Sequence, residues 1–164
     1  MADSKALQTP TDLNRNDTKS VADALNSALA DSFALYLKTK NFHWHVSGPH
    51  FRDYHLMLDD QAAQILAITD AVAERVRKTG NTTLRSIGDI ARRQAITDND
   101  KEFVSADDML AELRDDNLKL VESFRAVKEA AEAADDNATS GIVDEWTDQA
   151  EERAWFLFEA SRKG

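Results

Sequence analysis

Chain-breaking residues are almost absent from most of this sequence. It has 164 residues but only 2 prolines, Pro10 and Pro49, and 5 glycines. Sheets require frequent turns, and turns draw on these two residue types, whereas the interior of a long helix excludes proline and disfavours glycine. Residues 50–164 contain no proline at all. The sequence therefore predicts an all-α protein built from long helices.

Apolar residues recur at three- and four-residue spacing along four segments, which is the pattern of an amphipathic helix. The stripe of the first segment includes Leu37, and that of the second begins at Phe51. We expect helices over about residues 18–46, 50–79, 105–133 and 137–162, the first of them capped by Thr18 or Ser20. The long connection between the second and third of these helices has room for a short helix over residues 86–93.

The lengths of the connections predict the topology. The first and last links have only a few residues, so each joins an antiparallel helical hairpin. The middle link, residues 80–104, can reach ~80 Å when extended, at ~3.3 Å per residue, and a 30-residue helix is only ~45 Å long. We expect residues 18–164 to form a four-helix bundle with one long crossover, the ferritin-like connectivity. Residues 1–17, which are polar and mixed in charge, are expected to form a flexible tail.

Composition excludes several classes of site and location. There is no cysteine, which removes disulfide scaffolds, cysteine-based zinc sites, iron–sulfur clusters and thiol catalysis. No apolar run approaches the ~20 residues that cross a bilayer, and the N-terminus lacks the apolar stretch of a signal peptide. We expect a soluble cytoplasmic protein. The net charge of −10 favours attraction of cations over contact with nucleic acid.

One stripe of the second helix carries four side chains that can bind metals. At about 100° per residue, His55, Asp59, Asp70 and Glu74 lie within ~100° of one another around the helix. Such a stripe is either a solvated, charged face or a surface that meets something else. The second interpretation is favoured by large apolar residues on or near this side. These residues are Met57, Ile65, Leu66, Ile68 and Ala73.

Two copies of this helix can do what one cannot. The pair His55 and Asp59 lies ~22 Å along the helix from the pair Asp70 and Glu74, so one chain cannot bring both pairs to one ion. If two helices pack antiparallel about a two-fold axis near residues 64–65, His55 faces the partner's Glu74, and Asp59 faces the partner's Asp70. A two-fold axis repeats the contact, so two equivalent sites are predicted.

The donor set predicts a divalent metal. His43, near the end of the first helix, is the natural additional nitrogen ligand. Carboxylates with imidazoles and no thiolate suit iron(II), manganese or zinc, and clustered carboxylates repel one another unless a cation separates them. A di-iron site inside one bundle would need Glu-x-x-His on two helices. No histidine follows His55, so that site is absent.

These motifs resemble those of the Dps family, the miniferritins also called DNA-binding proteins from starved cells. The matching segments are Lys40-x-x-His43-Trp44, Gly48-Pro49-x-Phe51, His55-x-x-x-Asp59 and Asp70-x-x-Ala73-Glu74-Arg75, and the resemblance covers about residues 20–162. It implies a two-iron site at a dimer interface, for which zinc or manganese could substitute. The implied ligands, which are also the catalytic residues, are His43, His55 and Asp59 from one chain and Asp70 and Glu74 from its partner.

The same resemblance implies an iron-storage and detoxification protein. Twelve chains would form a hollow shell, oxidise iron(II) with hydrogen peroxide in preference to oxygen, and keep ferric mineral inside. Lys40 would either contact a ligand without being one or simply be a surface charge. Trp44 would either intercept stray oxidising equivalents or simply pack at a helix end. His45 and His50 are expected not to be ligands.

Two features depart from the family pattern. The family name implies DNA binding, and the alternative function is a DNA-compacting starvation protein with secondary ferroxidase activity. This tail is close to neutral, so we expect DNA binding to be weak or absent. An iron-entry pore would need acids at the start of the last helix, where Gly141 replaces one of them. Asp144, Glu145 and Asp148 are candidates for that pore.

Overall fold

The computed structural model describes residues 4–163, and no strand occurs among them. A short 3-10 helix, Ser4–Leu7, precedes α1 (Arg15–His45), α2 (Phe51–Lys78), α3 (Ile87–Arg93), α4 (Ala106–Ala133) and α5 (Asn137–Ser161). The two hairpins, α1 with α2 and α4 with α5, pack through α1 on α4. The predicted all-α, ferritin-like bundle with a short helix in its crossover is therefore confirmed. None of the described helices is long and apolar enough to cross a membrane.

The first helix begins earlier than predicted. Asn14, not Thr18 or Ser20, is its N-cap, and the Asn14 side chain accepts a hydrogen bond from the backbone N–H of Asn16. The segment before it contacts the end of α2, where the Arg77 guanidinium donates to the carbonyl of Leu7 at 2.7 Å. Residues 1–3 of the predicted tail lie outside the described part of the chain, and flexibility of the remainder stays a prediction.

The apolar stripes meet in one core between the four long helices. On α2, Leu58, Ile65 and Val72 are completely buried. Ile65 therefore belongs to the chain's own core and does not face outward, as its place near the expected two-fold axis had suggested. Two residues assigned to core stripes by spacing, Leu37 and Phe51, are 58% and 45% exposed.

Polar side chains of α1 hold the crossover against the bundle. Oδ1 of the buried Asp31 accepts hydrogen bonds from the backbone N–H groups of Ala95 and Ile96, at 2.7 and 3.1 Å. About two turns further on, Lys38 donates to the carbonyl of Thr97 at 2.8 Å. The same ammonium lies 2.7 Å from Asp116 of α4. These contacts satisfy backbone groups that a connection without secondary structure of its own would otherwise leave unpaired.

A buried arginine fastens α2 to the second hairpin. Arg153 of α5 is 2% exposed and donates from Nε to Asn117 of α4 and from Nη1 to Gln64 of α2, both at 2.7 Å. Burial lowers the pKa of Arg153 to about 10, so the side chain still carries its charge at neutral pH. α2, the helix that carries His55, Asp59, Asp70 and Glu74, is thus held at its midpoint, Gln64, by a side chain from the opposite hairpin.

Candidate metal centre

Two histidines face each other where the α1–α2 hairpin closes. Nδ1 of His43 donates to the carbonyl of His55 at 2.7 Å, and Nδ1 of His55 donates to the carbonyl of His43 at 2.8 Å. The imidazoles stack with their centroids 3.8 Å apart. Because a carbonyl oxygen only accepts, both Nδ1 atoms carry a proton, and in the neutral form of such an imidazole the lone pair lies on Nε2. The backbone thus sets both imidazoles in the tautomer that binds a metal through Nε2.

Asp59 completes the donor group within one chain. Its Oδ1 lies 3.8 Å from Nε2 of His43 and 2.7 Å from the ammonium of Lys40. The hydrogen bond from Lys40 lowers the pKa of Asp59, to which the positive charge of Lys40 adds. Asp59 is therefore an ionised oxygen donor at neutral pH. Its side chain is 52% exposed, so the donor group opens toward the surface.

The other two predicted ligands are not brought to this group. Asp70 and Glu74 are exposed on the same face of α2, about four turns toward its C-terminus. The carboxylate of Glu74 lies 4.0 Å from the ammonium of Lys78. Within residues 4–163 no three His, Asp or Glu side chains are grouped closely enough to hold a metal ion. One chain thus presents two separate groups of candidate ligands on a single helix face.

The remaining side chains of interest lie around this arrangement. Trp44 is 58% exposed, and the ammonium of Lys40 sits 5.7 Å from the centre of its ring. Nδ1 of His45 points back to the carbonyl of Asn41, and His50 is exposed before α2. Among the pore candidates, Asp144 is paired with Lys128 at 2.9 Å. Glu145 and Asp148 are exposed on α5.

One feature of the centre was not identified from the sequence. The exchange of hydrogen bonds between His43 and His55 depends on the angle at which the hairpin closes, which residue spacing does not encode. The contact of Lys40 with a candidate ligand was expected from the family resemblance, and the structure identifies that residue as Asp59, on the other helix of the hairpin.

Comparison with known proteins identifies the family. The ferritin-like domain model matches residues 22–163 of this chain. A DNA protection during starvation protein from Brevibacillus brevis is 30% identical over 140 residues, which is 84% of this chain and 91% of that protein. This chain belongs to the Dps family. The resemblance carried by the sequence motifs is thereby confirmed.

Two further likenesses extend along most of the chain. A low temperature-induced protein from Nostoc, described as uncharacterized, is 31% identical over 146 residues, 88% of this chain and 82% of that protein. The crystal structure of an archaeal Dps homologue from Halobacterium salinarum superimposes with a TM-score of 0.86 at 28% identity. That match covers 91% of this chain and 83% of the archaeal one. The bundle described above is therefore a Dps fold.

Proposed function

We propose that this Dps-family protein oxidises iron(II) at sites shared between two subunits and stores the ferric product inside a shell of twelve chains in the cytoplasm. The observation that carries the proposal is the exposed face of α2. It holds an imidazole and a carboxylate at one end, His55 and Asp59, and two carboxylates at the other, Asp70 and Glu74. Antiparallel pairing of two such faces joins each half-site to its complement.

The middle of this face is suited to contact with a second copy. Leu66 is 41% exposed there, with the small exposed residues Ala63 and Ala67 beside it, and Leu56, next to His55 at the end of the face, is 47% exposed. In the register that sets His55 against the partner's Glu74, Leu66 lies opposite the partner's Ala63, so a large side chain meets a small one. Exposed leucines rimmed by charged residues are typical of a protein contact surface.

The donor set fits iron as a substrate. His43 and His55 offer Nε2 lone pairs, and Asp59 with the partner's Asp70 and Glu74 offers carboxylate oxygens, a combination that suits iron(II) and also admits zinc or manganese. Asp59 is held by Lys40 at 2.7 Å, so a bound cation takes over a carboxylate that is already ionised. The cation also removes the repulsion among the three carboxylates.

Two iron ions in one site give the reaction its electron balance. Each iron(II) supplies one electron to hydrogen peroxide, the O–O bond breaks, and two protons complete two water molecules. Delivering both electrons together avoids release of a hydroxyl radical. We propose hydrogen peroxide as the preferred oxidant and oxygen as the slower one. Trp44, exposed one residue after His43, is placed to intercept stray oxidising equivalents.

A complementation experiment tests the shared site. Asp59→Asn and Glu74→Gln should each abolish rapid iron(II) oxidation by peroxide, while Glu129→Gln, an exposed acid of α4, should leave it unchanged. When the two inactive variants exchange subunits freely, a heterodimer keeps one intact site, so a 1:1 mixture should recover about one quarter of the normal rate. No recovery despite confirmed exchange would refute sites built from two chains.

The assembled mass tests the shell independently. Light scattering should report twelve times the chain mass of 18.3 kDa. A monomeric particle would contradict both the shell and the shared site.

Compaction of DNA is the second candidate function, because several of the similar proteins are named for DNA protection during starvation. The net charge of −10 on each chain opposes it, since binding to the phosphate backbone depends on basic side chains. We therefore expect the assembled protein not to retain duplex DNA in a gel-shift assay at physiological salt. Retention under those conditions would favour the DNA-binding function.

A further inference from the structure

Phe51, the first residue of α2, lies against the metal-binding pair of imidazoles. Its ring centroid is 5.0 Å from that of His55, with the planes 29° apart, and His55 in turn stacks on His43 at 3.8 Å and 18°. His55 thus stacks with one ring from α1, His43, and with one ring from its own helix, Phe51. Phe51 is 45% exposed, so its ring does little for the core of its own chain.

The turn before α2 sets the position of this ring. The backbone N–H of Phe51 donates to the carbonyl of Gly48 at 3.1 Å, and Gly48 has a φ of 116°, which a residue with a side chain rarely adopts. Phe51 and His55 are four residues apart on one helix, the spacing at which side chains touch. The ring of Phe51 thus comes to lie against the imidazole of His55.

The stacked ring restricts what the His55 side chain can do. One hydrogen bond, from Nδ1 to the carbonyl of His43, fixes the direction of one ring atom. It leaves the plane of the imidazole free to tilt about that bond. The stacking contacts with His43 and with Phe51 both oppose such a tilt.

We propose that Phe51 is a positioning residue for the metal site, holding the plane of His55 so that Nε2 points toward the bound ion. The inference rests on the proposed function, because it assumes that His55 is a ligand. Phe51 itself has no donor atom and does not touch the metal. Partners that orient metal-binding histidines typically change metal affinity by about 10–100-fold when they are removed.

The experiment uses cobalt(II), which replaces iron without redox chemistry and reports its ligands through visible d–d absorption. The full-length protein is titrated anaerobically, as are Phe51→Leu, Phe51→Tyr and the control Phe103→Leu. Phe103 is a 73% exposed aromatic residue of the crossover and is not one of the three stacked rings. We expect Phe51→Leu to weaken cobalt binding about tenfold and to alter the d–d bands. Phe51→Tyr, which keeps the ring, should bind cobalt with the affinity and the d–d bands of the unmodified protein. Phe103→Leu should also match the unmodified protein in both measurements.

The outcomes separate this inference from the proposed function. If the unmodified protein binds no cobalt, the proposed metal site falls, and the role of Phe51 falls with it. If the unmodified protein binds cobalt and Phe51→Leu matches Phe103→Leu, the role of Phe51 is refuted while the site stands. Should Phe51→Leu lose helicity by circular dichroism, Phe51→Met provides the same comparison with a side chain of similar length. Failure of Phe51→Tyr to restore binding would also count against positioning by the ring.

Discussion

Lys40 and Asp59 form an ion pair of 2.7 Å across the α1–α2 hairpin, and the carboxylate in that pair is one of the candidate metal ligands. Oδ1 of Asp59 lies closer to the ammonium than to Nε2 of His43, which is 3.8 Å away. The ammonium of Lys40 therefore lies next to the carboxylate of Asp59, and an incoming metal ion would have to compete with it for that carboxylate.

Replacing Lys40 should strengthen metal binding. In Lys40→Gln the incoming ion no longer displaces an ammonium from Asp59, so affinity for cobalt(II) should rise by up to about fivefold, the range of a partly exposed ion pair. Anaerobic titration measures the change. Lys19→Gln, which breaks the exposed pair with Asp23 on the same helix, is the matched control and should have no effect. Weaker binding in Lys40→Gln would show that Lys40 orients Asp59 rather than competing for it.

Asp136 should stabilise the fold only where it is ionised. Although burial opposes the charge, hydrogen bonds from Thr139 and the charge of Arg75 lower the pKa of Asp136. A carboxyl whose pKa is lowered by folding contributes stability above its unfolded pKa of about 3.9 and loses that contribution as the pH falls through the folded value. Asp136→Ala should therefore cost about 1–3 kcal/mol at pH 7, because a helix cap and a partner of Arg75 are lost.

Urea unfolding at pH 7 and at pH 3 checks this prediction for Asp136. The difference in the free energy of unfolding between Asp136→Ala and the unmodified protein should be smaller at pH 3 than at pH 7. The exposed Glu129→Ala serves as control and should shift neither measurement. A cost of equal size at both pH values would mean that packing, not charge, explains the effect.

The buried Lys38 should be among the most sensitive positions in the bundle. Its ammonium pairs with Glu112 at 2.9 Å and with Asp116 at 2.7 Å. Burial raises the pKa of Asp116, and the hydrogen bond from Lys38 works against that rise. Lys38→Met leaves the buried carboxylate of Asp116 with only the more distant ammonium of Lys119, at 4.0 Å, and should reduce the free energy of unfolding by about 3–5 kcal/mol at pH 7.

The pH dependence of Lys38→Met has a defined sign. Since Asp116 binds its proton more tightly in the folded variant, the loss should shrink as the pH is lowered and the carboxyl becomes neutral. Adding Asp116→Leu to Lys38→Met should recover part of the stability at pH 7, because it removes the buried carboxylate that Lys38 no longer neutralises. If the double variant is no more stable than the single one, charge burial is not the cause.

Asp31 should control the order of the crossover. Asp31→Asn replaces an acceptor that serves two backbone N–H groups with an amide whose single oxygen carries no charge. Amide exchange at Ala95 and Ile96 should quicken, while exchange in the middle of α1 stays slow. Mass spectrometry of exchanged peptides measures both regions, with Glu102→Gln, at an exposed acid of the crossover, as control. Unchanged exchange at Ala95 and Ile96 would rule out this role for Asp31.

Much of the fold could be predicted from residue types and spacing. The absence of proline after Pro49 and the periodic apolar stripes gave the long helices, and Ser86 and Ser105 cap α3 and α4 within the predicted bounds. The start of α1 was missed because Asn14 and Thr18 are both good caps. The exposure of Leu37 was missed because a stripe defined by spacing alone is wider than the face that the neighbouring helices actually cover.

The face that the candidate residues share was predictable, whereas the contacts within the site were not, and the role of these residues as metal ligands stays a prediction. Helical spacing put His55, Asp59, Asp70 and Glu74 on one face, because rotation per residue is nearly constant along a helix. The contacts of His43 with His55 join positions on two helices, so they depend on how the hairpin packs. The contacts by which Asp31 and Lys38 of α1 hold the crossover were missed for the same reason.

The crossed hydrogen bonds of His43 and His55 make the end of the hairpin and the nitrogen donors a single unit. Lengthening the Ser47–His50 turn would part both imidazoles from their carbonyl acceptors at once, and each would then exchange between tautomers. Conversely, a metal ion held by these nitrogens would resist fraying of the two helix ends. Transplanting the donor pair into another bundle would therefore require copying the bend between the helices along with the histidines.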